Sequence, residues 1–287
     1  MNRTAAGWIN GFVGVAIFSG SLPATRVAVM QFDPVFLTMA RAAIAGALAL
    51  CLLLAFGEKR PARRDIASLV VVALGVVVGF PLLTALALRQ VTAAHSIVFV
   101  GLLPLATAIF AVIRGGERPK PAFWFFSVLG SALVAGFALS QGLSASAIGD
   151  ALMLAAIVAC GLGYAEGARL SRTLGGWQVI SWALVLSLPI MVVVALLYMP
   201  PSFSGIASSA WLGLAYVSLF SMLIGFVFWY RGLAQGGIAA VGQLQLLQPF
   251  MGLALAAALL HEPVTSAMLG VTVAVILCVA GARRFAN

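Results

Sequence analysis

Three glutamines, Gln243, Gln245 and Gln248, interrupt the apolar run "AAVGQLQLLQPFMGLALAAALL". Each carboxamide has donors and acceptors that hydrocarbon cannot satisfy, so all three must face inward. On a helix Gln245 and Gln248, three residues apart, share one face, which Gly252 continues. Two amides on one face can hydrogen-bond a bound solute or a neighbouring helix. His95 and Phe99 are four apart and share a face in the same way. An imidazole there could carry a proton or clamp a solute beside an aromatic ring, or it could simply be satisfied by a carbonyl. Arg41, inside the run that contains "RAAIAGALAL", could hold a solute carboxylate, or bond carbonyls or Asp33. Ser19, Ser21 and Thr25 offer hydroxyls in the first apolar run.

Aromatic residues accompany these polar groups. Phe80 precedes Pro81, Tyr164 follows the small-residue stretch "CGLG", and Phe226, Phe228, Trp229 and Tyr230 form a cluster. Tyr164 and Phe80 are candidates to stack on a substrate ring. Trp8, Trp124, Trp177, Trp211, Trp229 and Tyr230 fall near run ends, where amphipathic rings form interfacial belts. Several chemistries are disfavoured. "HEPVT" is not H-E-x-x-H, because Thr265 stands where the second ligand belongs, and G-x-S-x-G and paired aspartates are lacking. Cys51, Cys160 and Cys278 all lie in apolar runs and read as small hydrophobes. Neither an enzyme, a metal site nor a cofactor is expected.

The elements that would position these groups follow from composition. The chain is 287 residues long, 63% hydrophobic and 8% charged, too apolar for a soluble core. Ten apolar runs, at roughly 7–29, 34–56, 66–88, 93–113, 120–140, 148–170, 176–198, 209–231, 238–260 and 264–283, have the length a bilayer demands of a helix. They are continuous rather than alternating, so a barrel is disfavoured. The first run reads as a mature helix, since its "SGSLPATR" end is a poor cleavage site. The formal charge of +9 is not a nucleic-acid patch. With the N-terminus inside, thirteen of the sixteen Lys and Arg fall in inner loops, and only Arg26 and Arg89 in outer ones. That is the positive-inside pattern, and it predicts that both termini are cytoplasmic.

Part of the text is written twice. A shift of 145 residues superposes Pro104 on Pro249, Glu117 on Glu262, and Val134-Ala135-Gly136 on Val279-Ala280-Gly281. The expectation is two repeats, residues 1–143 and 144–287, of five spans each. Five is odd, so the second copy enters the bilayer from the opposite side, a recurring plan of secondary transporters. Glu117 and Glu262 each begin the turn into the next helix, where a carboxylate is favoured by about 0.3–1 kcal/mol, or they gate. Pro81, Pro104 and Pro249 are candidate bends beside a cavity. Gly7/Gly11, Gly75/Gly79 and Gly163/Gly167 read as close helix packing.

Ten spans in two inverted halves, "RAAIAGALAL" in the second span, and the P-x12-E phrase of the fourth repeated in the ninth resemble the EamA-type branch of the drug/metabolite transporter superfamily. The resemblance covers nearly the whole chain and is most like the family's bacterial aromatic amino-acid exporters. It implies an all-α membrane protein of the bacterial cytoplasmic membrane. Spans 1 to 4 and 6 to 9 would line a central cavity, spans 5 and 10 would sit behind, and the halves would alternate access. The seven acids lie at or near span ends, which disfavours proton-coupled cation efflux, and no lysine lies within a span to meet a dianion. The expected substrate is a zwitterionic or neutral solute, such as an aromatic or large neutral amino acid, exported by a monomer whose other partner is the lipid bilayer. A multidrug or other metabolite carrier, and a channel, stay open as alternatives.

Overall fold

The computed structural model describes residues 3–91, 96, 99–140, 146–252, 254 and 266–286. Every regular element among them is helical. This is what apolar runs enforce, because a helix satisfies its own backbone donors and acceptors where no water can. The helices are α1 (Arg3–Val29), α2 (Pro34–Ala55), α3 (Arg63–Gln90), α4 (Leu103–Gly115), α5 (Pro121–Ser140), α6 (Ala147–Leu174), α7 (Gly176–Leu197), α8 (Ser208–Gly236), α9 (Ile238–Gly242, continuing as 3-10 turns over Gln243–Leu247) and α10 (Ser266–Phe285). Six of these, α1 to α3 and α6 to α8, are by themselves long and apolar enough to cross a membrane.

The helices pair across the chain. α1 runs antiparallel to α8, with Gly7 against Gly236 and Gly14 against Trp229. α3 runs antiparallel to α6, with Gly75 against Gly163 and Val91 against Gly149. α2 pairs with α7 and α5 with α10 in the same sense, the latter closed by the Lys120 N–H on the Phe285 carbonyl at 3.0 Å. Small residues set these approaches. A Cβ placed on Gly232 would lie 2.5 Å from the Gly11 nitrogen, so nothing larger than glycine fits where α8 crosses α1.

The outer surface is apolar: Leu54, Phe125, Leu197, Leu212 and Leu277 are all exposed. Polar residues are instead buried, among them Arg41, Glu166, Gln243 and Gln245. That inversion suits a lipid surround. Both chain ends lie at one end of the bundle, where the Arg283 guanidinium sits over the Trp8 ring at 4.7 Å; this is called the terminal end below, and the opposite one the distal end. Two members of the expected aromatic belt are placed differently. Trp229 and Tyr230 are fully buried, because α8 presses that face onto Phe18 of α1 and Tyr164 of α6. Cys160 and Cys278 are buried, Cys51 is exposed, and all three are free thiols.

Candidate functional site

Helix irregularities build the site. Pro23 has no N–H to give the Ser19 carbonyl, and α1 breaks at Gly20, between Arg3–Ser19 and Ser21–Val29. Neighbours occupy carbonyls freed near the break: the Tyr216 hydroxyl donates to Ile17 at 2.6 Å, and Gln248 Nε2 donates to Phe18 at 3.2 Å. In α3, Pro81 likewise lacks a donor, and the preceding turns over Ala73–Gly79 widen into a π-helix in which the Phe80 N–H reaches back to Gly75. α8 carries a second π-helical stretch, Val217–Ile224. In α9 the turns before Pro249 tighten to 3-10. α4 turns at Gly101–Leu102, and Pro104 stands in the first turn of Leu103–Gly115 rather than in mid-helix as the sequence suggested.

These irregular stretches surround one narrow cleft, partly open to solvent. α1 contributes Phe18, Ser21, Leu22 and Thr25, and α3 contributes Val76, Phe80, Pro81 and Thr84. Arg41 of α2, Tyr164 of α6, Ser221 and Phe226 of α8, and Gln248 complete most of the wall. None of the described lining comes from α5, α7 or α10.

Arg41 is the only charged group on the described wall, and its residue is 6% exposed. Asp33 does not pair with it; that carboxylate caps α2 instead, accepting from the Val35 and Phe36 N–H groups at 2.8 and 3.2 Å. Arg41 Nη2 donates to the Ser221 hydroxyl at 3.1 Å, and its buried Nε has no partner. Ser21 also donates to Ser221, at 2.8 Å. The Arg41 guanidinium and the Ser21 and Ser221 hydroxyls thus form a polar corner with one positive charge.

The other sequence-predicted residues are placed as follows. Gln248, Tyr164, Phe80, Arg41 and Pro81 meet at the cleft. Gln245 is fully buried beside Tyr164, with neither amide atom in a formed hydrogen bond. The Ser19 hydroxyl turns back to the Ala16 carbonyl at 2.6 Å and is off the wall. Phe99 is half-buried against the core, while its neighbour Val100 lines the cleft. His95 and Glu262 lie outside the described residues. Sequence reasoning passed over Thr84 and Ser221. Hydroxyls at three-residue spacing, Ser218 and Ser221, were the available signal for the latter.

The terminal end is held by charge. Glu117 does not cap the helix that follows it, as expected, but the start of α9: it accepts from the Ile238 and Ala239 N–H groups, both at 2.8 Å, and pairs with Arg172 at 3.0 Å. The reason is geometric, since α9 begins beside the end of α4 and presents unsatisfied amides there. Glu166, fully buried, is bound by Arg114 at 2.9 Å and by Arg169, which also reaches Ser68 at 2.9 Å.

Helices with a lipid-facing apolar exterior, broken around a polar-cornered cleft, define a membrane protein with an internal polar site. The chain belongs to the EamA-like transporter family, whose profile matches it twice, over residues 5–139 and 147–283. It is 71% identical over 287 residues, the full length of both chains, to the Bacillus subtilis (strain 168) protein described as "Uncharacterized transporter YdeK". A second protein of that strain, "Uncharacterized transporter YyaM", is 26% identical over 240 residues, covering 78% of this chain and 77% of its own. One crystal structure of a chain 20% identical superposes with a TM-score of 0.80 over 98% of this chain and 99% of that one, a likeness of fold. Family and relatives indicate a transporter rather than an enzyme, embedded in a membrane by several apolar helices.

Proposed function

We propose that this chain is a secondary carrier that exports a small carboxylate-bearing metabolite, of the amino-acid class or its relatives, across the bacterial cytoplasmic membrane. Ten spans form two inverted five-helix repeats that alternate access to the cleft. Three features support the inverted plan: the family profile matches each half once, α1–α8 and α3–α6 are antiparallel pairs related by exchange of halves, and the π stretches begin at Ala73 and Val217, 144 positions apart. The terminal end, which carries the basic loops, is the cytoplasmic one by the positive-inside rule. At that end Glu117, Glu166 and their arginines tie the two halves together.

The observation that carries the reading is Arg41: a buried guanidinium with no carboxylate partner among the described residues, on the wall of the cleft. A cation desolvated without a counter-ion is unfavourable, and a solute carboxylate would supply one. Gln248 would bond the solute's polar groups, while Tyr164 and Phe80 would pack on its apolar body. Reconstituted vesicles preloaded with an unlabelled small carboxylate, an amino acid or its deaminated analogue, should accumulate the labelled form by counterflow that saturates and is competed. Flux linear in concentration would overturn the carrier. Tags on both termini should be accessible from the cytoplasmic side only; a split result would end the inverted ten-span arrangement.

A further inference from the structure

The charges around the cleft are unequal in a way that restricts the solute further. Arg41 is its only described charge, and no Asp or Glu stands among the described lining residues. The nearby acids are already engaged: Asp33 caps α2, and Glu166 is bound by two arginines toward the terminal end. A carboxylate entering the cleft would meet the guanidinium, whose Nε has no partner, beside the Ser221 hydroxyl. The ammonium of a zwitterion would lose water and find no carboxylate there. A second negative charge would exceed what one guanidinium offsets. Around the polar corner the wall turns aromatic, through Phe18, Phe80, Tyr164 and Phe226.

Resting on the carrier reading above, we propose that the solute is bound and carried as a monoanion: an organic monocarboxylate with an apolar, ring-sized body, its carboxylate seated on Arg41 and Ser221. Each export cycle then moves one net negative charge outward, whatever the charge of the empty carrier on its return. A potential negative inside drives that movement, favouring the outer pool by about 50-fold per 100 mV at equilibrium. Export therefore needs no carboxylate in the cleft to carry a coupled proton.

Three probes on one skeleton test this with the unaltered protein: 3-phenylpropanoate as anion, phenylalanine as zwitterion and phenethylamine as cation, each titrated by tryptophan fluorescence and then applied to proteoliposomes under a valinomycin-set potassium potential. 3-Phenylpropanoate is expected to bind at least tenfold more tightly than the other two, with a saturable current whose sign follows the imposed potential. Permeation of the neutral acid through lipid moves no charge and leaves that current unaffected. Arg41→Gln should weaken binding of the anion at least tenfold, and Arg41→Lys should weaken it less. Equal or tighter binding of phenylalanine with saturable, electroneutral flux would overturn the monoanion while leaving the carrier intact. Absence of saturable flux for all three probes would overturn both. The wild-type series alone decides between these outcomes, so poor folding of Arg41→Gln cannot mask the answer.

Discussion

Gln243, Gln245 and Gln248 lie within six residues of one another and end in three different surroundings. Gln243 bonds Ser127 of α5 at 3.1 Å and ties two helices together. Gln248 faces the cleft and spends one N–H on the Phe18 carbonyl at the α1 break. Gln245 is buried with both amide atoms unpaired, which costs on the order of 1–3 kcal/mol relative to a satisfied amide. Gln245→Leu should therefore not lower the melting temperature in detergent, and should leave solute affinity within about twofold. Gln248→Ala should keep the fold and weaken solute binding roughly tenfold, the worth of one hydrogen bond. Unchanged affinity in the second variant, or a collapse of affinity in the first, would reverse the two assignments. That these amides turn inward was legible from the sequence, because lipid leaves them no alternative. Which one meets the cleft was not, because that depends on which helices pack against α9 and at what rotation, as the different partners Ser127 and Phe18 show.

Prolines explain much of the helix geometry at the level of elements. Pro23, Pro81 and Pro249 each remove a backbone donor, and the chain answers with a break, a widened turn and a tightened turn respectively. All three defects border the cleft, since polar backbone is tolerable only where it faces other protein or a cavity. The π stretch of α8 has no proline; Gly225 at its end, where a Cβ would lie 2.9 Å from the Phe220 carbonyl oxygen, is the sole local mark of it. The small-residue seams, by contrast, were readable from spacing. Gly232→Val would push a branched side chain into the α1 backbone, so stability should fall by about 2 kcal/mol or more, measured as lost monodispersity and a lower melting temperature. A variant as stable as the wild type would mean that α1 and α8 separate easily at this crossing.

At the scale of the whole molecule, Glu117 joins the end of α4 in the first half to α9 and Arg172 in the second. Removing its charge should loosen the terminal end by roughly 1–2 kcal/mol, shifting the equilibrium about 5- to 30-fold toward the state open there. Thr107, fully buried where α4 meets Gly242, reports that opening. In a background without native cysteines, Thr107→Cys should react with a water-soluble maleimide markedly faster when Glu117→Gln is added. Equal rates would remove Glu117 from the gate. The sequence by itself determined that the chain is helical and membrane-embedded, that part of it is written twice, and that its basic residues cluster in particular loops. Those properties are sums over many residues and survive without coordinates. Only the tertiary structure decided that Arg41 meets Ser221, 180 residues away, rather than nearby Asp33, and that Glu117 caps a helix 121 residues on rather than the next one. Such pairings depend on which helices touch and at what rotation, and hydropathy carries no signal of either.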